Sequence, residues 1–230
     1  MSGTEAWHER RYQLYVRCAF AFALLVRLAY VLFAHPPGHF VFSDMQSYDS
    51  VAFELLGGAI NPWHAFRPVG YSMLLASVYR LTDGSRTFVG VLQALMSAAL
   101  VPYAAELARA AGAGRRTALW VALLVATSVP LIFYSGLLLT EIPTTFCLVW
   151  ALRQAIALAG GLRPRLWPWA SLGLALGLAG AMRPNLLPLA PLVLLYAAWA
   201  GPRGWFRQPG LARRRRMAAL AAATLGCALV

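Results

Sequence analysis

Chemically active side chains are rare in this sequence, and the first candidate pair is Asp44 with Tyr48. The two residues are four positions apart, so on a helix they lie on one face. A carboxylate in that position could act as a general base. It could equally be an acidic residue in a first turn, where it stabilises its helix through the helix dipole. The local sequence leaves both roles open.

Three arginines lie at positions where a positive charge is unusual in a membrane protein. Arg67 precedes Pro68 at the start of a short apolar stretch, and Arg183 precedes Pro184 in a tight turn. Guanidinium groups bind phosphate with two parallel hydrogen bonds, so both side chains are candidate phosphate contacts. The alternative is a surface arginine that touches lipid phosphate or snorkels to the interface. Arg27 lies midway along an apolar segment, which indicates either a site or a structural pairing inside a helix bundle.

A second carboxylate, Glu141, follows Thr140 at the start of another apolar segment. It could be a second active-site carboxylate or a ligand of a divalent metal ion. The alternative is an acid at a helix start, with Thr140 as the N-cap. The spacing of His35, His39 and His64 matches no metal motif. The histidines therefore do not predict a metal site. Whether a metal ion binds stays open, and Glu141 is the candidate ligand.

The segments that carry these residues are strongly apolar. The chain has 230 residues, of which 60% are hydrophobic and 12% charged, whereas a soluble domain carries about 25% charged residues. The net charge of +12 comes from arginines in short loops between apolar segments, a pattern of membrane topology rather than of nucleic-acid binding. A glycine-rich phosphate loop and a Ser-His-Asp signature are both absent. We therefore predict an all-α polytopic membrane protein.

Apolar length and loop charge together predict the topology. Seven segments are candidate spans, namely residues 12–34, 87–108, 117–134, 141–158, 167–182, 186–200 and 217–230. The stretch 67–81 is too short to span and is predicted to lie in the interface. With residues 1–11 in the cytoplasm, the arginine-rich loops then fall inside, while Glu141 and Arg183 fall outside, as the positive-inside rule requires.

This topology leaves residues 35–86 as one large outer loop with four of the eight acidic residues. Residues 43–57 are predicted to form an amphipathic helix, because Ser43 and Gln46 match a capping box and apolar residues recur at helical spacing. Asp44 then lies in its first turn, near the plane of lipid headgroups. The other acidic residues of the loop are predicted to be ordinary surface charges: Asp49, Glu54 and Asp83.

Four short motifs occur in order along the chain. They are Ser43-Asp44-x-x-x-Tyr48, Arg67-Pro68-x-Gly70-Tyr71, Thr140-Glu141-x-Pro143 and Met182-Arg183-Pro184-Asn185. Together they resemble the membrane glycosyltransferases of the GT-C superfamily. The most similar branch, glycosyltransferase family 39, contains the protein O-mannosyltransferases and the lipid A aminoarabinose transferase.

The resemblance implies a conserved module of about seven transmembrane helices, with juxtamembrane helices in the first outer loop. It implies an inverting enzyme that moves a sugar from a polyprenyl-phosphate donor to an acceptor hydroxyl on a lipid, glycan or protein. Asp44 is similar in position to the catalytic base, Tyr48 and Arg67 to donor-phosphate contacts, and Glu141 to a second acidic residue. Members are commonly longer, so residues 1–230 are expected to be one module that lacks the C-terminal part.

Two other classes remain open. A polyprenyl-phosphate or lipid transporter could use the same arginines, although no inverted repeat of broken helices is evident. A non-catalytic membrane module or fragment is the third alternative. In each case the protein is expected to be integral to a membrane and to contact its lipids. A bacterial plasma membrane, with the active site facing outward, is the expected location.

Overall fold

The computed structural model describes residues 3–58, 68–159 and 166–199, and in these residues all regular structure is helical. The prediction of an all-α chain is therefore confirmed for this part of the protein. Arg67 and the predicted span 217–230 lie outside the described residues.

The described helices follow one another with short connections. They are α1 (Gly3–Ala29), α2 (Asp44–Leu56), α3 (Gly70–Leu81), α4 (Arg86–Ala110), α5 (Arg115–Ala126), α6 (Val129–Ser135), α7 (Glu141–Ala159), α8 (Leu166–Met182) and α9 (Leu189–Trp199). A π-helical turn, Tyr30–Ala34, extends α1, and 3₁₀ turns occupy Pro37–His39 and Pro184–Leu186.

Helix length and composition give the candidate membrane spans among the described residues. Three described segments are long and apolar enough to span, Glu5–His39, Arg86–Ala110 and Glu141–Ala159, and α5 with α6 makes a fourth if this pair, bent by 44°, is one span. Helix α3 has 12 residues and is about 18 Å long, so it cannot cross a hydrocarbon core of about 30 Å. Helix α3 as described is therefore too short to span by itself, while the interfacial position of the stretch 67–81 and the full set of seven spans stay predictions.

The bend between α5 and α6 is held by Arg27, which is fully buried. Its guanidinium donates hydrogen bonds to the carbonyls of Val125 at 3.0 Å and Ala126 at 2.9 Å. Both carbonyls belong to the last residues of α5, where the helix itself supplies no i+4 donor; that of Val125 also accepts from the backbone amide of Ser128 at 3.4 Å. The same side chain also donates to Ser97 Oγ at 2.7 Å and to the carbonyl of Ala23 at 3.1 Å. Within the described residues the hydrogen-bond partners of Arg27 are a hydroxyl and backbone carbonyls, which favours the structural alternative for this residue.

The chain forms two compact units. The first comprises Met1–His64 with Tyr71–Phe146, and the second comprises Ala65–Gly70 with Cys147–Val230. Small side chains, which let membrane helices approach closely, dominate the core of the first unit: Tyr12, Val16, Ala19, Ala23, Ala98, Val101, Ala105, Ala118, Ala122 and Ala126. In the second unit α7, α8 and α9 bury Ala151, Ala155, Leu158, Trp169, Leu172, Ala175, Leu176, Ala190, Val193 and Ala197.

Candidate active site

Helix α2 carries the first pair of candidate residues. It runs from Asp44 to Leu56 and ends at Gly57, so the predicted helix over residues 43–57 is confirmed. The predicted capping box is wrong, because the Ser43 side chain makes no capping hydrogen bond and its φ is +51°. A capping side chain needs an extended backbone. Here the Ser43 carbonyl instead accepts a hydrogen bond from the backbone amide of Gln46 at 3.1 Å.

The two side chains of the pair have different surroundings. Asp44 is exposed at the first turn of α2, and Tyr48, one turn later, is half-buried. The ring of Tyr48 meets the ring of Tyr71 edge-on, with centroids 5.2 Å apart. Asp44 is therefore accessible to a substrate, while Tyr48 links α2 to the first turn of α3.

Asp49 is not the ordinary surface charge predicted from the sequence. It is buried, and Arg86 donates to both of its carboxylate oxygens at 3.0 and 2.7 Å. The Tyr79 hydroxyl donates to the same carboxylate at 2.6 Å, and burial raises the pKa of that hydroxyl, which keeps it protonated. The partners follow Asp49 by 30 and 37 residues, which local sequence cannot reveal. Of the remaining acids in the segment, Asp83 is exposed as predicted and Glu54 is half-buried.

A buried hydrogen-bonded chain connects α3 with α4 and the turn after α6. The hydroxyl of Tyr71, which is fully buried, donates to Gln93 Oε1 at 3.1 Å. The amide nitrogen of Gln93 donates to the carbonyls of Leu137 at 2.7 Å and Ser135 at 3.3 Å. Burial raises the pKa of Tyr71 well above its ordinary value, and nearby charges, including that of Glu141, raise it further. The hydroxyl therefore stays a donor at neutral pH.

Glu141 is the first residue of α7 and is half-buried. A carboxylate there lies at the positive end of the helix dipole, a position in which an acidic residue stabilises its helix. Across the ranges that the structure describes, no group of three or more His, Cys, Asp or Glu side chains could hold a metal ion. The role of Glu141 as a metal ligand stays a prediction. Asp44, Tyr48 and Glu141 all belong to the first unit.

The two candidate phosphate contacts are placed differently. Arg67 lies outside the described residues. Arg183 is half-buried and its amide donates to the carbonyl of Ala179 at 2.9 Å, just before the turn Pro184–Leu186. It belongs to the second unit. The role of both arginines in phosphate binding stays a prediction.

Within the second unit, Gly70 packs directly on α8. A Cβ at this position would lie 2.6 Å from the backbone carbon and oxygen of Ala181. This separation is shorter than any normal contact, so only glycine allows the approach. The glycine of the Arg67 motif thus adjoins the helix end that leads into Arg183.

Replacement of Gly70 by alanine is expected to lower the free energy of unfolding by about 1–3 kcal/mol, since the backbone of α8 must move away. Thermal unfolding of the full chain in detergent measures this effect. The matched control is Gly38→Ala, because a Cβ at Gly38 meets nothing within 4 Å. Equal melting of the two variants would contradict the close approach of Gly70 to Ala181.

Sequence reasoning missed two groups of residues, and each had a faint signal. Gln93 is an amide inside an apolar span, a type of residue that marks a buried polar contact. Asp49 and Arg86 have opposite charges at the two ends of the segment 49–86, although nothing in their spacing pairs them. The role of Tyr71 was hidden because it also fits the apolar face of α3.

Comparison with known proteins adds one match. A family described as dolichyl-phosphate-mannose-protein mannosyltransferase matches residues 66–226. The matched range contains Glu141 and Arg183 and begins after Asp44 and Tyr48. No curated protein and no solved structure matches the chain.

Proposed function

This chain belongs to the dolichyl-phosphate-mannose-protein mannosyltransferase family, and from that premise we propose that it is an inverting glycosyltransferase that uses a polyprenyl-phosphate sugar. The family makes it a membrane protein of the glycosyltransferase type, in the GT-C superfamily. The acceptor is the hydroxyl of a lipid, glycan or protein. The family description makes mannose the first sugar to test.

The exposure of Asp44 is the observation that carries the proposal. Two aspartates lie five residues apart around the first turns of α2, and Asp49 is already engaged by Arg86 and Tyr79. Asp44 is the one that a substrate can reach. A general base must be accessible to the hydroxyl whose proton it removes, and of these two carboxylates Asp44 is exposed whereas Asp49 is buried.

The proposed reaction is a single displacement. The acceptor oxygen forms a bond to the anomeric carbon while the bond from that carbon to the donor phosphate breaks, and Asp44 takes the hydroxyl proton. The departing polyprenyl phosphate gains negative charge. Arg67 and Arg183 stabilise this charge, and the Tyr48 hydroxyl donates a hydrogen bond to the phosphate. Attack opposite the leaving group inverts the anomeric centre. Glu141 is the second carboxylate of the site and the residue that would hold a divalent ion.

The site is proposed to face the non-cytoplasmic side of a bacterial plasma membrane. Arginines favour the cytoplasmic side, and the loops between the later spans that carry Glu141 and Arg183 are poor in arginine. The long prenyl chain of the donor would stay in the bilayer while its phosphate reaches the surface. This geometry suits the placement of Asp44 in a segment between membrane spans.

Reconstitution of the full chain tests the proposal. Proteoliposomes receive mannosyl polyprenyl phosphate labelled in the sugar, with a range of hydroxyl acceptors, and the products are labelled glycoside and free polyprenyl phosphate. We expect both products in equal amounts, and a parallel sample with chelator reports whether a divalent ion takes part. Movement of the donor between leaflets without glycoside would instead indicate a transporter. Absence of both donor movement and product would indicate a non-catalytic module.

A further inference from the structure

We propose that Tyr71 and Gln93 are positioning residues that hold Tyr48 and the turn before Glu141 in one fixed arrangement. The proposal rests on the function proposed above, because it assigns these two residues to the same site. Both are fully buried, so neither side chain touches a substrate. They act through the residues that they contact.

The first step is the turn between α6 and α7, residues 136–140. It is irregular backbone, and all of it except Leu139 is buried. Backbone carbonyls away from water need donors, and in a membrane protein a missing donor is especially costly. Gln93 donates to the carbonyl of Ser135, the last residue of α6, and to the carbonyl of Leu137 within the turn. The turn leads directly into Glu141, so a side chain of α4 fixes the path of the backbone to that carboxylate.

The second step is the orientation of the Gln93 amide. Its nitrogen has two donor hydrogens, and both are directed at carbonyl oxygens of the turn. Its oxygen accepts the hydroxyl of Tyr71. The two carbonyls can only accept hydrogen bonds, so they require the amide nitrogen and set the orientation of Gln93. In that orientation the Tyr71 hydroxyl donates to the remaining amide oxygen, so the polar atoms of the Gln93 side chain are all hydrogen-bonded.

The third step connects Tyr71 with α2. The ring of Tyr71 contacts the ring of Tyr48 edge-on, an arrangement that aromatic pairs favour. The next residue, Ser72, donates from its hydroxyl to the carbonyl of Tyr48 at 3.1 Å. The first turn of α3 thus holds both the ring and the backbone of Tyr48. One continuous set of contacts therefore extends from Tyr48 through Tyr71 and Gln93 to the turn before Glu141.

The test uses Tyr71→Phe, Gln93→Leu and the double variant in the full chain. Tyr71→Phe keeps the ring against Tyr48 and removes only the hydroxyl. Gln93→Leu removes the hydrogen bonds from this side chain to the carbonyls of Ser135 and Leu137 and leaves the one from the Leu139 backbone amide to the Leu137 carbonyl. The matched control is Gln154→Leu, which removes the 2.7 Å hydrogen bond from Gln154 to Ser171 in the second unit.

Two measurements are made on each variant. Transfer kinetics give kcat and the KM for the donor, and hydrogen exchange followed by mass spectrometry reports the amides of residues 136–141. We expect Gln93→Leu to lower kcat about 10-fold, as a small displacement of a reacting group does, and to speed exchange in the turn. Tyr71→Phe should do the same to a smaller degree. The double variant should be no slower than Gln93→Leu, because the two residues act as one unit.

The outcomes separate the proposal from its premise. A variant with faster exchange and normal kcat, or with unchanged exchange, overturns the positioning role and leaves the transferase function intact. Equal losses in Gln154→Leu also overturn it, since the effect would then be general. If Gln93→Leu fails to fold, the kcat and the hydrogen exchange of Tyr71→Phe test the positioning role instead. An inactive wild-type chain contradicts the proposed function, and with it the role of both residues.

Discussion

Asp44→Asn is expected to reduce sugar transfer by about 10²- to 10⁴-fold, the range for loss of a positioned general base. Asparagine has nearly the shape of aspartate but cannot take the proton from the acceptor hydroxyl. Binding of the donor should persist, because the phosphate contacts assigned to Tyr48, Arg67 and Arg183 are unchanged. The measurement is single-turnover transfer in proteoliposomes, with donor binding determined separately.

Stability should hardly change in this variant. An acidic residue in a first helical turn contributes only about 0.3–1 kcal/mol through the helix dipole. Asp44 is exposed, so its replacement leaves no cavity. A loss of transfer in a chain that melts normally would therefore be a loss of chemistry rather than of folded protein.

The matched control for Asp44→Asn is Asp83→Asn. Asp83 is also exposed and lies in the same segment between membrane spans. Its φ is +51°, a conformation that asparagine adopts readily, so the variant should fold and transfer sugar normally. Normal turnover by Asp44→Asn, or an equal loss in Asp83→Asn, would show that Asp44 is not the base.

Features fixed by neighbouring residues were predictable from the sequence. The apolar periodicity and the glycines after Leu56 gave the limits of α2 to within one residue. The shortness of the apolar stretch before Leu81 predicted that α3 does not span. The separation of Asp44 and Tyr48 by four positions placed them on successive turns of one helix. Each of these conclusions needed only local geometry and length.

Features fixed by distant residues were not predictable. Asp49 looks like any acid in an amphipathic helix, and its burial depends on Tyr79 and Arg86 from two later helices. The function of Gln93 depends on carbonyls 42 and 44 residues away. The Ser43 capping box failed for a related reason, because the backbone that enters α2 has a conformation no sequence pattern specifies. Long-range packing therefore decided which polar residues are structural and which are accessible.

Arg27 shows how such a long-range contact determines stability. A buried arginine in a membrane span is costly, by about 3 kcal/mol on insertion scales. Its four hydrogen bonds come from a charged donor and contribute about 1.5–3 kcal/mol each. The hydrogen bonds therefore outweigh the cost of burial. We expect Arg27→Met to lower the free energy of unfolding by at least about 3 kcal/mol, since the carbonyls of Val125 and Ala126 lose their hydrogen bonds from the guanidinium.

Thermal unfolding in detergent compares Arg27→Met with Arg17→Met. Arg17 lies on the same helix and is exposed, and it makes no hydrogen bond or ion pair within the residues that the structure describes, so its replacement should leave the melting temperature nearly unchanged. Arg27→Lys should fall between the two, because one ammonium group cannot reach both Ser97 and the end of α5. If Arg27→Met melted like Arg17→Met, the bend between α5 and α6 would be held by packing alone. Proline at the start of α6 would then suffice to set the angle, and the buried guanidinium would need another explanation.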